Sequence, residues 1–148
     1  MQTPPNPIRR AVLHMQARRD HSQQELQRKL RTKGFSDAEI RAFFADTQHT
    51  SLLSDQRFTE SYIRSRSRKG YGPIRIQMEL QQRGISEEMI AEQLDITDNA
   101  WFCEAHRVWQ KYCKGKPAQD PLARMKQARF LQYRGFTQEH IKYVLNEE

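Results

Sequence analysis

The sequence predicts an all-α protein, an elongated array of three tandem three-helix units. The main observation is a pattern that occurs three times: a basic residue, a glycine, an apolar residue, and a Ser or Thr. Its glycines, Gly34, Gly84 and Gly135, lie about fifty residues apart, a period typical of repeat proteins. In addition, no stretch shows the alternation of polar and apolar residues that indicates a half-buried strand.

In each copy of this pattern, one helix ends and another begins. The glycine supplies the left-handed conformation that ends a helix, and the Ser or Thr caps the next one. Ser36 with Glu39 also predicts a capping box, whereas the other two copies lack the acid at that position. All three copies have the spacing of a hydrophobic staple, in the pairs Phe35 with Ile40, Ile85 with Ile90, and Phe136 with Ile141.

The first unit is predicted over residues 8–48, after a flexible proline-containing tail over residues 1–7. Its first helix spans 8–19, Ser22 caps the second helix, and the third spans 36–47. The residues predicted to face inward recur at helical spacing; they are Ile8, Val12, Met15, Leu26 and Leu30.

The second unit is predicted over residues 54–95. Its first helix, about 55–69, carries Arg57, Arg64 and Arg68 on one face, because spacings of four and seven residues repeat on one side of a helix. Gly70-Tyr71-Gly72 turns the chain at a flexible corner, and a proline occupies the first turn of the next helix. That helix is apolar on two flanks and is predicted to be the most buried of the unit, with Ile74, Ile76, Met78 and Leu80.

The third unit is predicted over residues 97–146, and we expect the three units to form one continuous folded array. Asp120-Pro121 caps a helix that runs to Arg134. The unit's first helix has a wide apolar stripe, which is interpreted as core; stacking against nucleic-acid bases is the alternative. The stripe comprises Trp101, Ala105, Val108, Trp109 and Tyr112.

Charge is unevenly distributed along the chain, which carries 25 basic and 18 acidic residues and a net charge of +7. Residues 1–33 contain eight Lys or Arg and two acids, and residues 55–84 contain seven and three. Residues 85–98 contain five acids and no Lys or Arg. This segregation favours a basic stripe that faces a polyanion or an acidic protein surface, the alternative being an ordinary solvated surface.

Several classes of protein are disfavoured. There is no Gly-rich phosphate loop, no His-Glu-x-x-His pair and no paired-cysteine metal signature. Cys103, His106 and Cys113 offer three metal ligands but no fourth, so we expect no metal, no cofactor and no enzymatic activity. No apolar run approaches the length of a membrane span and no secretory signal is present. Two cysteines, expected to be unpaired, fit a reducing cytoplasmic location; with no self-pairing heptad, we expect a monomer.

The segment Ser65 to Ile76 is basic, Gly-rich and aromatic, and it resembles the most recognisable stretch of the RecX family, the bacterial regulators of the RecA recombinase. Three further stretches resemble family motifs in the same order: Arg18 to Leu26, Asp55 to Phe58, and Arg129 to Phe136. The resemblance covers nearly the whole chain from about residue 8. One departure is that Ser51-Leu52-Leu53-Ser54 replaces the Gly-Tyr or Gly-Leu that is common in the family, which changes a linker.

This resemblance implies an all-helical, elongated protein of three tandem units that regulates homologous recombination, DNA repair and the SOS response. It implies binding to the RecA–DNA filament along its helical groove. The expected outcome is inhibition of RecA ATP hydrolysis, strand exchange and co-protease activity, with no cofactor.

Three basic patches are the candidate binding residues, because guanidinium and ammonium groups bind phosphates and carboxylates. For each one, simple solvent exposure or an internal salt bridge is the alternative. The patches are Arg57, Arg64, Arg66, Arg68, Lys69, Tyr71 and Arg75 in the second unit; Arg18, Arg19, Arg28 and Lys29 in the first; and Arg129 and Arg134 in the third.

Two other functions are compatible with the sequence. The chain could be a stand-alone nonspecific DNA-binding module, since three-helix units resemble helix-turn-helix domains and the net charge of +7 suits phosphate contacts. Against this, the last helix of the middle unit, where a reading helix would lie, is acidic over residues 86–94. Weak nonspecific binding of single- and double-stranded DNA is compatible with a filament regulator. A general protein-interaction scaffold with no role in DNA binding is the third hypothesis.

Overall fold

The computed structural model describes residues 6–46, 49 and 52–146 of the 148-residue chain. This part contains nine α-helices and no strand, in three consecutive groups of three, which confirms the predicted fold class. Unit one comprises α1 (Pro7–Arg18), α2 (Gln23–Thr32) and α3 (Asp37–Ala45); unit two comprises α4 (Asp55–Arg68), α5 (Pro73–Gln82) and α6 (Glu87–Gln93); unit three comprises α7 (Ala100–Cys113), α8 (Pro121–Arg134) and α9 (Gln138–Val144).

The repeated pattern forms the same helix-ending turn in all three units. Gly34, Gly84 and Gly135 have φ angles of +99°, +81° and +100°, the left-handed conformation that only glycine adopts without strain. In each copy, the N–H of the residue after the glycine donates to the carbonyl five residues earlier, at 3.1 to 3.2 Å. The same turn recurs at the end of α4, where Gly70 has φ +92° and Tyr71 N–H donates to the Arg66 carbonyl at 3.1 Å.

The caps at the helix N-termini agree with prediction except for one detail. The Ser36 hydroxyl accepts from Glu39 N–H at 3.1 Å, but the predicted return bond from the Glu39 carboxylate is absent among the described contacts and that side chain is exposed. Complete capping boxes form instead at Ser22 with Glu25 and at Thr137 with His140. The imidazole of His140 replaces the acid because its Nδ1 accepts from Thr137 N–H at 3.1 Å.

The N-terminus of unit one begins one residue earlier than predicted. The side chain of Asn6 accepts a hydrogen bond from Ile8 N–H at 2.9 Å, and Pro7 is the first helical residue. Asn6 and Pro7 therefore belong to the start of α1 rather than to the flexible tail expected over residues 1–7; residues 1–5 lie outside the described part. Helix α3 ends at Ala45, two residues before the predicted end, and Gln48 is not among the described residues.

The described residues form two hydrophobic cores. Unit one has its own, centred on the fully buried Val12, Leu26 and Leu30. Units two and three share a second core that runs from Phe58 in α4 to Val144 in α9. The shared core joins the last two units by apolar packing, whereas unit one packs separately.

Two apolar patterns are only partly buried. In α5, Ile76 and Leu80 are fully buried, but Ile74 and Met78 are 45% and 50% exposed, so the prediction of burial on both flanks is wrong for them. Ile74 and Met78 lie four residues apart on a second face of the helix, outside the side that joins the core.

The aromatic stripe of α7 is core for four of its five residues. Trp101, Ala105, Val108 and Trp109 are buried, whereas Tyr112 is 45% exposed. Both indole N–H groups have acceptors: Trp101 donates to a backbone carbonyl and Trp109 to Gln127 Oε1, each at 3.0 Å. The two tryptophans are therefore fixed inside the fold and do not offer free faces to bases.

Candidate partner and polyanion interface

The Gly-Tyr-Gly-Pro segment forms a backbone joint between units two and three. Gly72 N–H donates to the Arg134 carbonyl at 2.7 Å, and Ile74 N–H donates to the Gly135 carbonyl at 2.9 Å. A Cβ on Gly72 would lie 2.6 Å from the Gly135 carbonyl carbon and oxygen. The two backbones can approach this closely only because glycines occupy positions 72 and 135.

Three arginines surround the ring of Tyr71 at this joint. The guanidinium carbons of Arg66, Arg75 and Arg134 lie 3.8, 4.6 and 4.9 Å from the ring centroid, within the range of cation–π attraction. Tyr71 is half-buried. It is thus packed between cations that come from α4, α5 and α8, and it does not occupy the flexible corner that we expected from the flanking glycines.

Glu79 balances the positive charge of this cluster. Arg66 donates from Nε and Nη2 to the two carboxylate oxygens of Glu79, both at 2.9 Å, and Arg75 Nε lies 3.8 Å away from the same carboxylate. The side chains of Arg66 and Glu79 are only 18% and 13% exposed. Such bidentate pairs fix both partners in orientation. Burial, followed by the charge of Glu79, raises the pKa of the neighbouring Tyr62.

Arg134 adds further contacts across the joint. Its Nη1 donates to the Lys69 carbonyl at 3.1 Å, and its guanidinium lies 4.3 Å from the ring centroid of Tyr112. Arg107 in α7 donates to the Ser67 carbonyl at 3.1 Å. The structure therefore brings Arg66, Tyr71, Arg75 and Arg134 together. Tyr71, Arg75 and Arg134 make contacts between units two and three, whereas Arg66 contacts Glu79 and Tyr71 within unit two.

The other cations of α4 point to solvent. Arg64, Arg68 and Lys69 are exposed, and their side chains form no ion pair within the described part of the chain. Arg57 is 49% exposed and its Nε lies 3.6 Å from the Asp20 carboxylate of unit one. A surface pair at this distance leaves the guanidinium available to other partners.

Hydrogen bonds also join units one and two. The Ser22 hydroxyl donates to the Arg83 carbonyl at 2.8 Å, and Gln23 N–H donates to Asp55 Oδ1 at 2.9 Å. Burial raises the pKa of Asp55, although the hydrogen bond from Gln23 acts in the opposite direction. Gln23 Nε2 also donates to the Leu53 carbonyl at 2.7 Å. These bonds place the start of α2 against the end of α5, the start of α4 and the linker that precedes α4.

A groove of 380 Å³ opens where units one and two meet. Its walls carry four cations, Arg19, Arg66, Lys69 and Arg83, with one acid, Asp20. Arg83 is not among the predicted binding residues, because its position before Gly84 is explained by the helix dipole alone. No local spacing could have placed it near Arg19, since that proximity depends on how two units pack.

The remaining predicted residues lie in units one and three. Arg18, Arg19 and Lys29 line one cavity between α1 and α2, whereas Arg28 is exposed and does not line it. Arg129 is exposed on α8, while Arg134 is half-buried at the joint, so the third patch does not form one surface. Contact between these residues and a partner stays a prediction.

The last helix of unit two presents acidic side chains. Glu87, Glu88 and Glu92 are all exposed on α6. Ile90, on the opposite side of this short helix from solvent, is buried in the core. A helix with three exposed carboxylates would be repelled by the phosphates of DNA.

Other kinds of site are not evident in the described residues. No group of three His, Cys, Asp or Glu side chains within them could hold a metal ion, and both cysteines are free thiols. None of the described helices is long and apolar enough to cross a bilayer.

Comparison with known proteins covers all three units. Family models described as RecX, first, second and third three-helix domain match residues 9–42, 54–94 and 104–145 in that order. "Regulatory protein RecX" of Pseudomonas putida (strain GB-1) is 43% identical over 142 residues, which cover 96% of this chain and 91% of the relative. The protein of the same name from Pseudomonas entomophila (strain L48) is 42% identical, with 96% and 92% covered.

Solved structures agree on the fold. The crystal structure of RecX from Lactobacillus salivarius superposes with a TM-score of 0.75 at 20% identity, covering 93% of this chain and 92% of that chain. A second structure, titled crystal structure of regulatory protein RecX, gives a TM-score of 0.74 over 95% of this chain and 73% of that chain. With all three domains matched in order and close sequence relatives along nearly the whole length, the chain belongs to the RecX family of regulatory proteins.

Proposed function

We propose that this chain binds the RecA–DNA filament and inhibits RecA ATP hydrolysis, strand exchange and co-protease activity, and so regulates homologous recombination and DNA repair. The observation that carries the proposal is the ordered match to all three RecX domains, together with relatives named as regulatory proteins. We propose that it acts by binding and not by catalysis, as a monomer in the cytoplasm.

The geometry supports a role in binding an extended partner. Cations line the cavity of unit one and the groove between units one and two, and further cations are exposed along α4. A filament of nucleoprotein presents phosphates and acidic side chains at repeated spacings, which suits an elongated array better than a single pocket does.

The first experiment is a titration of this protein into RecA that hydrolyses ATP on single-stranded DNA, at two salt concentrations. We expect inhibition at well below one molecule per RecA protomer, because a regulator of filament growth or stability acts on many protomers at once. Absence of inhibition, together with DNA binding that weakens steeply with salt, would instead indicate a stand-alone DNA-binding module.

The exposed cations of α4 are tested by the double charge reversal Arg64→Glu and Arg68→Glu. Arg75 is left intact because it packs against Tyr71 and Glu79, and its reversal would disturb the joint between units. We expect this variant to inhibit RecA much more weakly while it keeps its helical circular dichroism.

The matched control is the double reversal Arg10→Glu and Arg41→Glu. Both residues are exposed in unit one and lie outside the predicted patches, and the change in net charge is the same. Equal inhibition by the wild type and by the α4 variant would remove α4 from the proposed interface. Equal losses in both double variants would show a dependence on net charge alone.

A further inference from the structure

A cationic cavity lies between α1 and α2 of unit one. Its volume is 660 Å³, within the range of small-molecule sites. Four of the residues that line it are cations, Arg18, Arg19, Lys29 and Lys33, and none of the lining residues described is acidic. The chain thus concentrates like charge around a concave space, which favours the entry of a group of opposite charge.

A buried histidine holds one of these cations in place. His21 is 3% exposed, and its Nδ1 lies 2.8 Å from the Arg19 carbonyl, which can only accept. Nδ1 therefore carries the proton, and Nε2 is left to accept from the Lys29 ammonium at 2.8 Å. This bond uses one N–H of Lys29 and fixes the ammonium at the cavity wall, and its other two N–H donors have no acceptor among the described residues.

The positive charge of the cavity is only partly compensated by the protein. Arg19 pairs with Glu25 at 3.0 Å. Among the described residues, no ion pair forms at Arg18, Lys29 or Lys33. Burial, then the charge of Arg19, lowers the pKa of Lys29; Arg18 and Lys33 act in the same direction, and the Glu25 carboxylate acts against them. The cations therefore act on one another as members of one site, and within the described part of the chain three of them form no direct ion pair with a carboxylate.

We infer that this cavity binds a phosphate group carried by a nucleotide, either free or within a single strand. Guanidinium forks and ammonium groups that approach from several sides match the several oxygens of a phosphate. The cavity is larger than a phosphate ion needs, which leaves room for the attached sugar. The assignment rests on unit one alone and does not require that the chain regulate RecA.

The test is direct binding by calorimetry at low salt, in the absence of RecA, with the full chain. The probes are inorganic pyrophosphate, adenosine triphosphate and a short oligothymidylate. We expect Lys29→Gln and Lys33→Gln each to weaken binding by about tenfold or more, the effect of one lost charge-assisted hydrogen bond. Lys33→Gln is included because its side chain does not support His21, so the fold is not at stake.

The matched control is Arg41→Gln, which removes one exposed cation from α3 of the same unit, away from the cavity. We expect it to leave affinity unchanged, and we expect the ring resonances of His21 to shift when a probe binds to the wild type. Tighter binding of the oligothymidylate identifies a strand as the source of the phosphate, and tighter binding of the triphosphate identifies a free nucleotide. No binding of any probe, or equal weakening by all three variants, would overturn the inference.

Discussion

Replacement of Gly72 by alanine should break the joint between units two and three. The φ angle of Gly72 is −91°, which any residue adopts, so the variant carries no backbone strain of its own. Its new methyl group, however, would lie 2.6 Å from the carbonyl of Gly135 and 2.7 Å from Phe136 N, distances that a carbon atom cannot keep. The two backbones must separate, and the hydrogen bonds at 2.7 and 2.9 Å between them are then lost or lengthened.

The expected cost follows from these contacts. Two backbone hydrogen bonds contribute about 1 kcal/mol each, and overpacking in a buried site costs about 1–3 kcal/mol. We therefore expect Gly72→Ala to lower the free energy of unfolding by about 3–5 kcal/mol. Urea unfolding followed by tryptophan fluorescence measures this change, because Trp101 and Trp109 lie in the core that units two and three share.

Gly34→Ala provides the contrasting control. Gly34 has φ +99° and nothing lies within 4 Å of its Cβ position, so this variant carries only the strain of a left-handed residue, about 1 kcal/mol. We expect a larger loss of unfolding free energy at Gly72, which has an ordinary φ angle, than at Gly34, which has a left-handed one. A loss at Gly72 below about 0.5 kcal/mol, within the range of neutral surface changes, would refute the assignment of this glycine to a close backbone contact.

Three further predictions concern other contacts. Glu79→Gln should lower the free energy of unfolding by about 1–3 kcal/mol, because the half-buried guanidinium of Arg66 loses its charged partner; an unchanged urea midpoint would contradict this. Ser22→Ala should lower the free energy of unfolding by about 1–2 kcal/mol, more than Ser36→Ala does, because Ser22 caps α2 and also donates a hydrogen bond to unit two. Equal losses in the two variants would show that the hydrogen bond between units contributes nothing to stability. Burial, then the neighbouring cations, lowers the pKa of His21. Below pH about 6.5 the unfolded chain therefore binds a proton that the folded chain does not, and the free energy of unfolding should fall as the pH drops through this range. An NMR titration that places the imidazole pKa of the folded protein above about 6.5 would contradict this prediction.

The sequence predicted the fold well because its signals are local. A left-handed glycine, an N-cap and a staple act within one turn of chain, and the helix ends at Gly34, Gly84 and Gly135 appear where that chemistry requires. The predictions were wrong where one local pattern is compatible with more than one arrangement of side chains. At α5 the alternating apolar residues could not show which flank joins the core, and at Ser36 a suitable acid is present but its side chain stays in solvent.

The candidate site was less accessible to prediction because it depends on how units pack. Arg83 and Arg107 contribute to the surfaces between units, yet each reads in the sequence as an ordinary helical cation. His21 gave no sequence signal either, since its role depends on the Arg19 carbonyl and on Lys29, eight residues further along the chain in α2. Which residues of two units come close together depends on the angles at which their helices cross. The spacing of residues along a single helix does not encode these angles.

The residues around Tyr71 show why residue type alone does not identify a binding cation. Arg66, Arg75 and Arg134 belong to the stretches that most resemble the RecX family, yet each of them stacks on an aromatic ring and bonds within the chain. A motif can thus mark a joint between repeats as well as a contact with a partner. If a variant at one of these arginines failed to inhibit RecA, the result would not distinguish the loss of a contact with RecA from a disturbance of the joint between units. Exposed cations without internal partners can make that separation, so they are the positions at which a loss of inhibition would locate the interface.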